Sequence, residues 1–172
     1  MAFAYYQRFN QAQKRIARKS DVQKPILLTA NTDYLSVLNE LKFQLSQGNV
    51  AFVERSSQQL LDAICEPLKI GRMRISSARV HVLERRPYDD WGELHGLYEP
   101  VNEARIRARL YVWMRTAKRQ QIVAFKTYLR TLVHELCHHL DYEFYQLDDS
   151  LHTKGFYQRE SHLVKQLINF MP

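Results

Sequence analysis

Between Ala104 and Arg115 the chain reads ARIRARLYVWMR, and apolar and polar residues alternate without a break. Successive side chains of a strand point to opposite faces, so this period of two predicts a strand with two unlike surfaces. Ala104, Ile106, Ala108, Leu110, Val112 and Met114 share one face, expected on a core. Arg105, Arg107, Arg109, Tyr111, Trp113 and Arg115 share the other, expected to meet something polar.

The segments around this strand supply its company. Residues 1–20 hold no acid and five bases (Arg8, Lys14, Arg15, Arg18 and Lys19), with Tyr5, Phe9, Ala12 and Ile16 at helical spacing: a basic amphipathic helix. DVQKPILLTANT reads as a linker. A helix capped by Asn31, Thr32 or Asp33 closes near Gly48-Asn49, and a second ends before Pro67. RMRISSARVHVLERR alternates well enough for a strand with Val80 and Val82 on one face, and a short edge strand follows at 94–98, bounded by Pro87 and Pro100. After the basic turn TAKRQQ come a long helix, about 122–144, and a last one from HTKGFYQRESHLVKQLINF. The order predicts an α+β fold: N-terminal helices, a small mostly antiparallel sheet with its edge at 94–98, and two C-terminal helices. Residues 1–30 form a basic helix and linker, and 31–172 the domain.

Of 172 residues, 45% are hydrophobic and 12% aromatic, enough for a core. No apolar run reaches the roughly 18–20 residues of a membrane span, so no membrane partner is expected. Two cysteines, Cys65 and Cys137, do not make a disulfide framework or a zinc ribbon, and a reducing cytoplasm is the expected setting, with nucleoid or nuclear association open. A net charge of +7 favours polyanions, and Arg105, Arg107, Arg109 and Arg115, interleaved with Tyr111 and Trp113, are the candidate nucleic-acid-binding residues. The competing reading of that face is an exposed sheet surface covered by solvent or by the N-terminal helix.

The chemistry concentrates in TLVHELCHHLDYEF. His134 and His138 are four apart, one above the other on a helix, so both imidazoles can reach a single ion, while Leu132, Val133, Leu136 and Leu140 fall on the opposite side. Glu135 sits beside such an ion and can take a proton from water. A catalytic zinc site needs a third protein ligand. A histidine at the sixth position after His138 would be one answer, but Phe144 stands there. His152 and Glu160 remain as alternatives. His139 is turned off the ligand face. Asp141, Asp148 and Asp149 are expected to be solvated, with one of them available to orient an imidazole.

LVHELCHH, followed fourteen residues after His138 by HTKGF, resembles the SprT-like zinc metalloproteases, the family that includes the DNA-dependent protease Spartan. His152 and Phe156 keep the family's spacing of a histidine and an aromatic opening the next helix, and the likeness spans about 33–170. Thr153 stands where the family usually has glycine, no C-terminal zinc ribbon is present, and Glu160 occupies an inward stripe where an apolar residue is usual. The resemblance implies a zincin-like fold, one Zn2+ per chain on His134, His138 and His152, a protein or peptide substrate, and DNA as a further partner.

With that site, Glu135 acts as general base in peptide-bond hydrolysis. An extended substrate pairs with the edge strand through Leu94, Gly96 and Tyr98, and Tyr98 or another tyrosine is a candidate for stabilising the oxyanion. Glu160 either ligates in place of His152 or hydrogen-bonds a ligand histidine. The alternative function is a non-catalytic nucleic-acid-binding module with a structural zinc site.

Overall fold

A computed structural model of the chain describes residues 4–30, 32–85 and 96–172. Leu94, His95 and Asn31 lie outside the described residues.

Among the described residues, five α-helices and two small sheets build an α+β fold. After a single 3-10 turn, α1 (Gln11–Asp21) starts on a capping box: Asn10 accepts from the Gln13 amide while the Gln13 side chain accepts from the Asn10 amide. An extended stretch leads to α2 (Tyr34–Gln47), capped by Asp33, and α3 (Val50–Cys65), capped by Asn49. Gly48 lies between them at φ 70°, where a side chain would be strained, so the chain reverses within two residues. Leu38, Leu41 and Leu45 of α2 and Val53, Leu60, Leu61 and Ile64 of α3 enter the common core.

The segment expected as one strand at 72–86 is divided. Lys69–Ile70 (β1) and Met73–Arg74 (β2) form a two-stranded hairpin, and β3 (Arg79–Arg85) begins after a break at Ser76-Ser77. β3 joins β4 (Gly96–Glu99) and β5 (Arg109–Arg115) in the order β3-β5-β4. β3 runs parallel to β5, with Val80 opposite Leu110 and Val82 opposite Val112. β4 runs antiparallel, with Gly96 opposite Val112 and Tyr98 opposite Leu110. The sheet is therefore mixed, not mostly antiparallel, and its longer pairing is the parallel one.

The long alternating segment is also shorter as a strand than its pattern predicts. Pairing starts where the Ala108 carbonyl accepts from Arg79, and Ile106, expected in the core, is 97% exposed. The cause is turn chemistry. Asn102 and Arg105 exchange backbone hydrogen bonds, the Asn102 side chain accepts from the Ala104 amide, and the chain is bent before the strand begins. From Ala108 onward the expected face holds: Ala108, Leu110, Val112 and Met114 are buried.

The two rims of the sheet are treated differently. Along β3 the outward amides of Val80 and Val82 donate to the side chains of Gln58 and Glu54 from α3. β4 ends the sheet on the other side, and its inward residues Gly96 and Tyr98 lie over α4 (Phe125–Glu143). α4 buries Leu129, Leu132, Val133, Leu136 and Leu140 in the core, and α5 (Lys154–Asn169) packs beside it through Phe156, Leu163, Val164 and Leu167. No helix among the described residues is long and apolar enough to cross a membrane. Cys65 and Cys137 are buried free thiols.

Candidate metal centre

α4 carries His134, Glu135 and His138 on the side facing away from its leucine stripe, towards a cleft of about 320 Å3 bordered by β4 and the loop before α5. The loop brings His152 back across the helix: Gln146 takes φ 52° just beyond α4, and Leu147 returns its amide to the Asp141 carbonyl. His152 Nε2 then lies 3.0 Å from His134 Nε2 and 3.1 Å from His138 Nε2. The fully buried ring of Phe156 supports all three imidazoles, at centroid distances of 5.0, 4.7 and 5.1 Å from His134, His138 and His152.

The remaining hydrogen bonds fix which nitrogens carry protons. His134 Nδ1 is 2.9 Å from the Glu160 carboxylate, an acceptor, so Nδ1 carries a proton and Nε2 is the nitrogen turned to His152. Ser150 Oγ donates its single proton to Asp141 Oδ2 at 2.8 Å. It can therefore only accept from His138 Nδ1, 2.7 Å away, and in the neutral ring His138 Nε2 is then a bare lone pair facing His152. Both nitrogens face His152 Nε2, whose one proton can point at only one of its two contacts at a time, whereas a cation lying between the three nitrogens would be met by all of them. Burial and the neighbouring imidazoles hold His138 down to about 3, and burial also lowers His152, so both rings are in the neutral form a metal requires. His134, His138 and His152 are the group among the described residues able to hold a metal ion.

Glu160 does not join them. It is buried, with Oε2 on His134 and Oε1 accepting from Arg130 at 2.9 Å, and its place is that of an orienting carboxylate. Asp141, expected to be solvated, is instead fully buried and shared between Ser150 and Arg159, because the chain after α4 folds back over it.

Glu135 is 6% exposed, and no hydrogen bond to its carboxylate is made among the described residues. Burial pushes it up to about 7, His134 works in the opposite direction, and Glu160 adds to the rise. The carboxylate fits only because residue 96 is glycine: a Cβ there would lie 2.6 Å from Glu135 Oε1. Gly96 was expected to touch substrate; what the structure gives it is the task of making room for the acid.

His139 is 2% exposed and does not touch the other three histidines' nitrogens. Its Nε2–H donates to the Ser76 carbonyl at 2.7 Å, so its Nδ1 accepts from the Tyr98 hydroxyl at 3.0 Å. That commits the proton expected for an oxyanion. The Tyr142 hydroxyl donates to Asp149 at 3.0 Å. His81 stacks on Tyr111 at 5.1 Å, a packing role within the sheet.

The four arginines are engaged in different ways. Arg105 pairs with Glu99 at 3.2 Å and Arg107 donates to the Ser77 carbonyl at 3.1 Å, both ahead of β5. Arg115 lies 3.7 Å from Glu84 and donates to the Gln120 carbonyl at 3.1 Å. Arg109 is exposed at the start of β5.

Ser150, Arg130 and Arg159 were not singled out by sequence reasoning. Ser150 has no pattern that marks it, whereas Arg159 and Arg130 could have been sought as partners once buried acids on the facing helix were suspected. Comparison with protein-family models, curated proteins and solved structures finds no match to this chain.

Proposed function

We propose that this chain is a zinc-dependent metalloendopeptidase. The observation that carries the reading is the convergence of the His134, His138 and His152 Nε2 atoms beside a carboxylate poised near neutrality, at the foot of a terminal strand. Three imidazoles suit zinc, and a three-ligand set leaves a position for water. The SprT-like spacing of HELCH and His152 supports the same assignment, and with it a zincin-like fold.

A zinc ion in this site supplies Lewis-acid activation of water and of the scissile carbonyl. The chain's own residues do the rest. Glu135 Oε takes the proton from the attacking water and returns it to the leaving amine, a task suited to an acid whose pKa lies near working pH. β4 offers its outer rim to an extended peptide, which is thereby aligned over the histidines. Leu97, Pro100 and Tyr142 line the cleft with apolar surface, so side chains flanking the cleaved bond are expected to be apolar.

The competing reading, a module that keeps a metal for folding alone, requires neither Glu135 nor an accessible strand rim. Zinc-loaded wild type and Glu135→Gln, incubated with a denatured protein in the presence and absence of single-stranded DNA, separate the two. The expected result is one zinc per chain in both proteins and cleavage by the wild type only. Stimulation by the DNA would add a nucleic-acid partner. A zinc-loaded wild type that leaves every substrate intact, or a variant that cuts equally well, sinks the proposal.

A further inference from the structure

The end of α1 is stitched to the start of α5 by side chains that lead to two of the three histidines. Arg159, 4% exposed, turns back from α5 so that one guanidinium nitrogen donates to the Ser20 carbonyl. The other donates to Ser20 Oγ at 2.9 Å and to Asp141 Oδ1 at 2.7 Å. Through the second oxygen of Asp141 the path continues to Ser150 and His138 Nδ1. The Tyr145 ring lies under the guanidinium at 4.9 Å.

A second path reaches His152. Asp21 Oδ1 accepts from the Gly155 amide at 2.7 Å, which satisfies one of the free donors in the first turn of α5. Ser20 Oγ lies 3.0 Å from Thr153 Oγ1, and Thr153, the residue after His152, caps α5 by accepting from the Phe156 amide at 3.1 Å. The approach of α1 depends on Gly155: a Cβ there would lie 2.6 Å from the Ser20 carbonyl oxygen and 2.6 Å from Asp21 Cα.

These contacts matter because His152 differs from the other two histidines. It is exposed and sits on a loop, and no hydrogen bond to its Nδ1 is made among the described residues. Apart from the other two histidines, its ring meets Tyr157, stacked at 5.8 Å, and Phe156 edge-on at 5.1 Å, so the backbone at 152–155 decides where Nε2 points. That backbone is held by α1. The buried guanidinium also leaves its Nε without a partner, a cost that an apolar filler would not carry, and this favours a directional role over simple packing.

We propose that Ser20, Asp21 and Arg159 are positioning residues of the metal centre, so that docking of α1 sets the aim of His138 and His152. The inference rests on the reading that the three histidines hold a metal ion. It extends that reading to an element whose visible character is only a basic surface.

The test is zinc affinity of the full-length metal-free chain, measured by competition with a chromophoric chelator, together with the visible spectrum of the cobalt-substituted protein. Asp21→Ala and Arg159→Lys are expected to weaken zinc about 10- to 100-fold and to alter the cobalt bands, while Asp21→Asn, which keeps the accepting oxygen, stays within about threefold of wild type. Asp21 is exposed, so its variants keep the test open should Arg159→Lys fail to fold. Folded Asp21→Ala with wild-type affinity overturns the proposal, and so does a loss that Asp21→Asn fails to restore. A wild type that takes up no zinc refutes the metal-centre reading instead.

Discussion

The Glu160 carboxylate lies 2.9 Å from Nδ1 of His134, on the side of the ring away from the other two histidines. It accepts from that nitrogen and so fixes the orientation of the ring, and on the proposed metal reading this is the part of an orienting group. Glu160→Gln and Glu160→Ala are therefore expected to keep three-histidine coordination with zinc binding weakened by about 10- to 100-fold, alanine more than glutamine. X-ray absorption on the zinc-loaded variants checks this; loss of one ligand from the coordination shell would show that Glu160 binds the ion itself.

Gly96 and Glu135 make the sharpest steric prediction. A methyl group at residue 96 would occupy the space of the carboxylate, 2.6 Å from Oε1. Gly96→Ala should lower kcat by about 100-fold or more through misplacement of the base, while one zinc remains bound. Retained activity would place the base elsewhere.

The pH dependence of stability follows from Glu135. Its pKa rises from 4.5 to about 7 on folding, so between these values the folded chain holds a proton that the unfolded chain releases. The stabilisation is full below pH 4.5 and is lost as pH rises through 7, leaving a buried charge that costs on the order of 3 kcal/mol. Glu135→Gln should then raise the Tm of the metal-free protein at pH 8, and the gain should close towards pH 4.5. Thermal melts at the two pH values decide it, and an equal shift at both contradicts the assignment.

Tyr98 gives a test of the opposite kind. Its hydroxyl donates to His139 at 3.0 Å, so Tyr98→Phe removes a hydrogen bond inside the fold and none from the reaction. A loss of about 1 kcal/mol in stability with kcat changed by less than about threefold is expected. A large fall in kcat alone would return Tyr98 to the role of oxyanion donor.

The pairing of His134 with His138, and Glu135 beside them, was legible in the sequence because helical spacing is a local rule; His152 stood beside Glu160 as an alternative, and the path of the loop brings His152 to the other two histidines. The turn that closes near Gly48-Asn49 and the buried run from Ala108 to Met114 were legible for the same reason, and of the three cap candidates at 31–33 the structure uses Asp33. What escaped depends on distant partners or on turns. Asp141 looks like a surface acid until Arg159 and Ser150 are seen around it, and Ile106 looks like a core residue until Asn102 bends the chain ahead of it. The parallel pairing of β3 with β5 was equally hidden, since alternation fixes faces and says nothing about direction.

The two rims of the sheet carry a consequence for how the molecule behaves among its own copies. Glu54 and Gln58 plug one rim, so among the described residues the rim left for a stray strand from a partly unfolded neighbour is the other, next to Glu135 and the histidines. Runaway stacking of sheets would then begin in the groove that holds the three histidines. On the proposed chemistry, the place where such fibres could seed is also the place where they would be trimmed.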